Sequence, residues 1–146
     1  MERLAALGAA LAVAAAGSGA ATATTDTPSP AAVVRAWSNA LNANDNETAG
    51  GLFAKNARVI QGTLDARIPT HKLAVLFNST LPCAGRIVAM TVKGERVVAT
   101  FVLGHRPKHT CDGPGQKAAA LFVVRKGKIV LWAQIAPPAA PSGPTA

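Results

Sequence analysis

The sequence predicts an α+β domain in which N-terminal helices are followed by an antiparallel sheet. Three observations predict it. Apolar residues in the first half recur at helical spacing, with capping residues and breakers between the segments. From Arg86 onward the period changes to two, in four runs. Two short glycine turns, Lys93-Gly94-Glu95 and Lys126-Gly127, join those runs in pairs, which is the signature of hairpins.

The elements follow in order. Ser29 is placed to cap a first helix and Pro30 suits its first turn. Val33, Val34, Trp37, Ala40 and Leu41 give that helix one apolar face, and "NANDN" ends it, because Asn and Asp compete with the helix backbone. Asn44 or Asp45 can cap a short second helix through Phe53. Residues 57–62, "ARVIQG", read as a strand closed by Gly62, and "TLDARI" as a loop. Pro69 or Thr70 starts a third helix with Leu73, Leu76 and Phe77 on one side, stopped by "NSTLPC". The strands "RIVAMTV", "RVVATFVLG", "QKAAALFVVR" and "KIVLWAQI" follow. In the last two, both faces are apolar: Ala118, Ala120, Phe122 and Val124 against Ala119, Leu121 and Val123, and Ile129, Leu131, Ala133 and Ile135 against Val130, Trp132 and Gln134. An antiparallel sheet normally wets one face, so helices covering one side and a second copy covering the other, a homodimer through the sheet, is the expectation.

A chain of 146 residues is long enough for one domain with a proper core. Its hydrophobic fraction is 49% but its aromatic fraction only 4%, so the core rests on Val, Leu and Ile around Trp37, Phe53, Phe77, Phe101, Phe122 and Trp132. The opening "MERLAALGAALAVAAAGSGAATA" has a basic residue, a short apolar run and small residues at Ala21-Thr22-Ala23, the pattern of a cleaved secretory signal. The expected organisation is a signal peptide over 1–23, a linker over 24–29, the domain over 30–136, and a disordered Pro/Ala-rich tail over 137–146. Export to a periplasm, a cell envelope or the medium follows.

The net charge of +8 survives loss of the signal, since Glu2 and Arg3 leave together. A basic exported domain suits anionic cell-surface polymers. Nucleic acid is not expected, because no Lys/Arg cluster exceeds "RKGK" and no aromatics lie among the bases for stacking. Cys83 and Cys111 are the only cysteines, and an even count in an exported chain argues for a disulfide. A metal site would need further ligands at close spacing. A reactive thiol would need a base, for which His109 is the neighbour. No metal and no cofactor is expected.

Two segments, "VVRAWSNALNANDNETAGGLFAKNARVIQG" and "LFVVRKGKIVLWAQI", resemble the opening and the terminal strand pair of the nuclear transport factor 2-like, or SnoaL-like, superfamily. The resemblance spans about Ala31 to Ile135 and rests on hydrophobic spacing, not on a catalytic signature. It implies a cone-shaped curved antiparallel sheet wrapped around the N-terminal helices, a cystatin-like α+β barrel, with a pocket at the open end. On this chain the implied pocket residues are Trp37, Phe53, Ile60, Gln61, Phe77, Phe101, Phe122, Trp132 and Gln134, with Asn78 a further polar group able to orient a ligand. The sequence leaves open which sheet face points inward.

The enzymes among these proteins hold carboxylates or histidines in an apolar pocket. Here Gln61 stands where the isomerase-like members place a base, and an amide cannot take a proton. No Asp–Arg–Asp set of the epoxide hydrolase kind is visible. Asp65, with Arg67 nearby, and His71 are the remaining acid–base candidates; the plain alternative is a loop ion pair and an exposed first-turn histidine. The triplets Asn46-Glu47-Thr48 and Asn78-Ser79-Thr80 read as capping and turn residues. The expected function is a pocket that binds a small apolar ligand or a partner without catalysis. The alternatives are a SnoaL-like isomerase, dehydratase or hydrolase, and a structural dimer at the cell envelope.

Overall fold

A computed structural model describes residues 16–22, 24–139 and 143. Most of the expected signal peptide, and much of the expected tail, lie outside the described residues.

Helix α1 (Pro30–Asn42) begins as the sequence indicates: Ser29 Oγ accepts from the Ala32 N–H and Pro30 occupies the first turn. Val33, Val34, Trp37, Ala40 and Leu41 form its buried stripe. Asn44 turns left-handed at φ 57°, and Asp45 caps α2 (Asn46–Gly51) by accepting from the Thr48 N–H. That helix ends before Phe53, which already belongs to β1 (Phe53–Gln61). The expected loop "TLDARI" is largely a strand, β2 (Leu64–Ile68), antiparallel to β1 across the turn at Gly62. Its five residues are mostly exposed and carry Asp65 and Arg67, the charged short edge that weakens an alternation signal.

Helix α3 (His71–Thr80) is capped by Thr70. Its buried face is Ala74, Phe77 and Asn78, while Leu73 and Leu76 stand 43% and 56% exposed. The expected Leu73–Leu76–Phe77 face is therefore rotated: Asn78, and not a leucine, goes inside because its amide finds partners there. Pro82 forces Leu81 into an extended conformation and ends the helix.

The remaining strands are β3 (Cys83–Lys93), β4 (Arg96–His105), β5 (Lys117–Arg125) and β6 (Lys128–Ile135). All six form one sheet in the order β2-β1-β6-β5-β4-β3. The antiparallel expectation holds for every pairing except β1–β6, which is parallel. The sheet does not close: β2 and β3 remain its edges, so the architecture is an open cone and not a full barrel. Left-handed residues make both tight turns, Gly94 in one and Lys126 with Gly127 in the other.

Register fixes the inward face. Val97, Phe122 and Trp132 are in line across β4, β5 and β6, and Val59 of β1 faces Trp132. All four are buried. A bulge between Val123 and Val124 brings Val124 opposite Ile129, and both are buried. This overturns the simple alternation, which placed Ile129 on the face of Leu131. One extra residue in the strand moves Ile129 to the core side. Phe53, Phe77, Trp132, Trp37, Phe101 and Phe122 form a continuous chain of ring contacts with centroids 5.2–6.3 Å apart, mostly edge to face. The outer face carries Val98, Leu121, Leu131 and Ile135, all partly exposed.

Cys83 and Cys111 are joined by a disulfide, with Cα atoms 4.5 Å apart and a sequence separation of 28. Asp112 lies beside them, and the three groups are close enough for metal ligands, but two sulfurs bonded to each other offer no thiolate. Among the described residues no helix is long and apolar enough to cross a membrane.

Candidate functional site

A cavity of about 190 Å³ lies between α1, the inner face of the sheet and the disulfide-bearing loop. Trp37 supplies its helical wall. The indole N–H of Trp37 donates to Asn78 Oδ1 at 2.8 Å, and the Asn78 amide nitrogen in turn donates to Ala74 O at 2.8 Å. Both residues are buried, so the ring is locked by a satisfied network and not by packing alone. One turn on, Ser38 and Asn42 fasten the start of β3. Ser38 Oγ and Asn42 Nδ2 both donate to Gly85 O, at 3.1 and 2.9 Å, while the Gly85 N–H donates to Asn42 Oδ1 at 2.9 Å. Only glycine fits at 85, since a Cβ there would stand 2.9 Å from the Phe101 ring. That close approach makes Phe101 and Gly85 neighbouring panels of the lining.

Phe101 and Trp132 line the cavity from the sheet, with Ala118 and Ala120 leaving the room that larger side chains would fill. Leu81, Cys83 and Asp112 line the side of the disulfide loop, and Gln61 and Gln134 bring two amides. The Trp132 indole N–H is buried with no hydrogen-bond partner among the described residues. A buried donor left unpaired costs about 1–3 kcal/mol.

The loop's position depends on Arg106, which is 2% exposed. Its guanidinium donates to the carbonyls of Asn78 and Leu81 at 2.9 and 2.8 Å, and to the side-chain oxygens of Asn44 and Asn46. Burial lowers its pKa from the ordinary arginine value. The other end of the loop is tied by the Leu103 N–H to Gln116 O and by the Gly115 N–H to Leu103 O, both at 2.8 Å. Between these ends the Cys111 N–H donates to His105 Nδ1 at 3.1 Å.

Of the residues expected at the pocket, Trp37, Gln61, Phe101, Trp132 and Gln134 line the cavity. Five others do not. Phe122 lies beneath Trp37, and Phe77 packs on Trp132 from behind. Asn78 orients Trp37 and Arg106. Ile60 points to the opposite face from Val59, because neighbouring strand residues alternate. Phe53 lines a separate depression with Lys55 and His71. The sequence reading missed Ser38, Gly85 and Asp112; "HTCDGPGQ" signalled a special loop but not its place at the cavity.

The acid–base pair does not assemble. Asp65 binds Arg58 on the neighbouring strand, with Nε at 2.7 Å, and both side chains are exposed. Those hydrogen bonds hold the Asp65 carboxyl below the ordinary aspartate value, which makes it a weaker base. Arg67, the partner expected from sequence, turns instead to the Asn56 carbonyl. His71 Nε2 lies 2.9 Å from Glu47 Oε2 on the surface. Neither Asp65 nor His71 lines the aromatic cavity.

Helices packed in the hollow of a bent, open sheet, with a cavity at one end, define a cone-shaped pocket domain. Comparison with solved structures gives the same class. The chain is similar to a nuclear transport factor 2-like protein of unknown function from Cytophaga hutchinsonii, at TM-score 0.61 and 14% identity, covering 76% of this chain and 92% of that one. It is similar to a cystatin-fold protein from Novosphingobium aromaticivorans, at TM-score 0.60 and 14% identity over 74% and 98% of the two chains. It is also similar to a protein with a ketosteroid isomerase-like fold from Catenulispora acidiphila, solved in complex with trimethylamine, at TM-score 0.59 and 18% identity over 70% and 83%. No protein-family model matches the sequence, and no curated protein matches it. The chain has the nuclear transport factor 2-like fold.

Proposed function

We propose that the chain is an exported binding protein for a small, mostly apolar ligand, held without catalysis in the cavity beside the disulfide loop. The observation that carries the reading is the lining. Three aromatic rings and a row of alanines make an apolar chamber, two glutamine amides bring polar groups, and the one ionisable lining group, Asp112, is exposed. Acid–base catalysis in such a pocket wants a carboxyl or imidazole buried in apolar surroundings. Asp65 and His71, the residues the catalytic alternative would use, are engaged elsewhere. The signal-like N-terminus and the disulfide support an oxidising compartment outside the cytosol.

Volume narrows the ligand. A dry cavity of about 150 Å³ accommodates benzene, so about 190 Å³ suits one ring with a short substituent. Trp37 and Trp132 are the only tryptophans and both line the chamber, so their fluorescence reports occupancy. Titration with benzyl alcohol is expected to give a saturable change. Ala118→Leu, which fills part of the lining, is expected to weaken binding by about fivefold or more. Absence of saturable binding, or an Ala118→Leu variant that binds as the parent does, refutes the reading.

The same proposal includes a second copy packed on the outer face of the sheet, where Val98, Leu121, Leu131 and Ile135 form an apolar band. Light scattering is expected to give twice the chain mass, and Leu121→Lys to halve it. A monomer for the parent rejects the pairing.

A further inference from the structure

The geometry points to a cationic ligand: we propose that the cavity takes a small aromatic or cyclic amine, its ring among Trp37, Phe101 and Trp132 and its ammonium on the Asp112 carboxylate. The inference rests on the binding reading above and names the chemical class of what is bound.

Charge pairing carries it. The chain has 15 Lys and Arg against 7 Asp and Glu, so a carboxylate without a cation is unusual here. The other acids of the folded region are all engaged. Asp45 caps α2, Glu47 meets His71, Asp65 meets Arg58 and Glu95 meets Arg125. Apart from Asp26 in the segment before α1, Asp112 alone has neither a cation nor a helix cap among the described residues; its side chain has one polar neighbour within hydrogen-bonding range, the Cys83 sulfur at 3.5 Å. That carboxylate stands in the lining of the aromatic cavity.

The distribution of the bases gives the complementary observation. Despite their surplus, no lysine, arginine or histidine among the described residues lines the cavity. A site built for a carboxylate or phosphate ligand would place a base there. What the lining offers instead is an anion at the exposed end, two amide oxygens on Gln61 and Gln134 that accept from N–H groups, and aromatic faces that attract cations. The disulfide and Arg106 fix the loop that carries Asp112, so the charge is held in place before a ligand arrives.

Three ligands of nearly equal shape test the proposal: benzylamine, benzyl alcohol and benzoate, titrated into the disulfide-intact protein by calorimetry and tryptophan fluorescence. Benzylamine is expected to bind about tenfold more tightly than benzyl alcohol, and benzoate more weakly than either. Asp112→Asn, which removes the charge and keeps the shape, is expected to abolish the preference, so that benzylamine and benzyl alcohol bind within about twofold of each other. Raised salt should narrow the difference between the two ligands in the parent. If benzyl alcohol binds as well as benzylamine, if benzoate binds best, or if Asp112→Asn keeps the preference, the amine assignment is overturned while the binding site stands. If none of the three binds, the binding site itself is overturned.

Discussion

Replacing Arg106 with leucine is expected to destabilise the domain by about 3–5 kcal/mol, lowering the thermal midpoint by roughly 10–20 °C. The size follows from what this side chain does. At the end of helix α3 Arg106 donates to two carbonyls, that of Leu81 and that of Asn78, which otherwise has only the Leu81 N–H at 3.3 Å. Its positive charge also sits at the negative end of that helix. The same guanidinium reaches Asn44 and Asn46 in the turn between α1 and α2, so one group joins three segments that no strand ladder connects. Leucine would take a donor from all four oxygens, and the two carbonyls among them lie in buried hydrogen bonds. Lysine keeps the charge but not the planar fork, and Arg106→Lys is expected to fall between the two. Urea denaturation of the three proteins checks the order. A leucine variant within about 0.5 kcal/mol of the parent, the range of an ordinary surface substitution, would show that these contacts are incidental.

Reduction of the Cys83–Cys111 bond is expected to cost about 3–4 kcal/mol, the chain-entropy value for a loop of 28 residues. The thermal midpoint should fall by about 10–15 °C. The bond has a second consequence because Cys83 and Asp112 both line the cavity. Without it, the middle of the loop keeps the short bonds from the Cys111 N–H to His105 Nδ1, from the His109 N–H to Arg106 O and from the Gln116 N–H to Gly113 O. Ligand affinity should therefore fall together with stability. A Cys83→Ser, Cys111→Ser double variant separates the effect of the bond from that of the reductant. Melting curves unchanged by reduction, with the bond confirmed broken by mass, would mean that Arg106 and the strand pairing hold the loop unaided.

Local chemistry made much of the architecture legible. Ser29-Pro30 marks the start of α1 because a cap and a fixed φ act within one turn of chain. Gly94 and Lys126-Gly127 mark the hairpins for the same reason. The errors fall where distant residues decide. "TLDARI" reads as a loop because a short, charged edge strand has little apolar alternation, and only pairing with β1 makes it a strand. Phe53 follows the helix pattern until Ile129 of β6 pairs beside it. Ile129 itself changes face through a bulge that no residue type announces. On α3, Asn78 displaces two leucines from the inside because Trp37, remote in sequence, supplies a donor for its amide oxygen.

The large aromatics and the glutamines were pocket candidates through the resemblance to the nuclear transport factor 2-like superfamily, which places those positions around the open end of the cone. Gly85 and Asp112 were not. Gly85 matters through its closeness to Phe101, and Asp112 through where the disulfide loop comes to rest.

By itself the sequence determined the order of the helices and of the last two hairpins, the pairing of its two cysteines and the surplus of positive charge, since each depends on residue type, count or near-neighbour spacing. The tertiary structure decided the inward face of the sheet, the burial of Arg106 and the position of Asp112 at the cavity. Those are outcomes of register and of contacts such as those of Arg106, to residues 25 to 62 positions away, and a linear pattern carries the residues for such contacts but not their meeting.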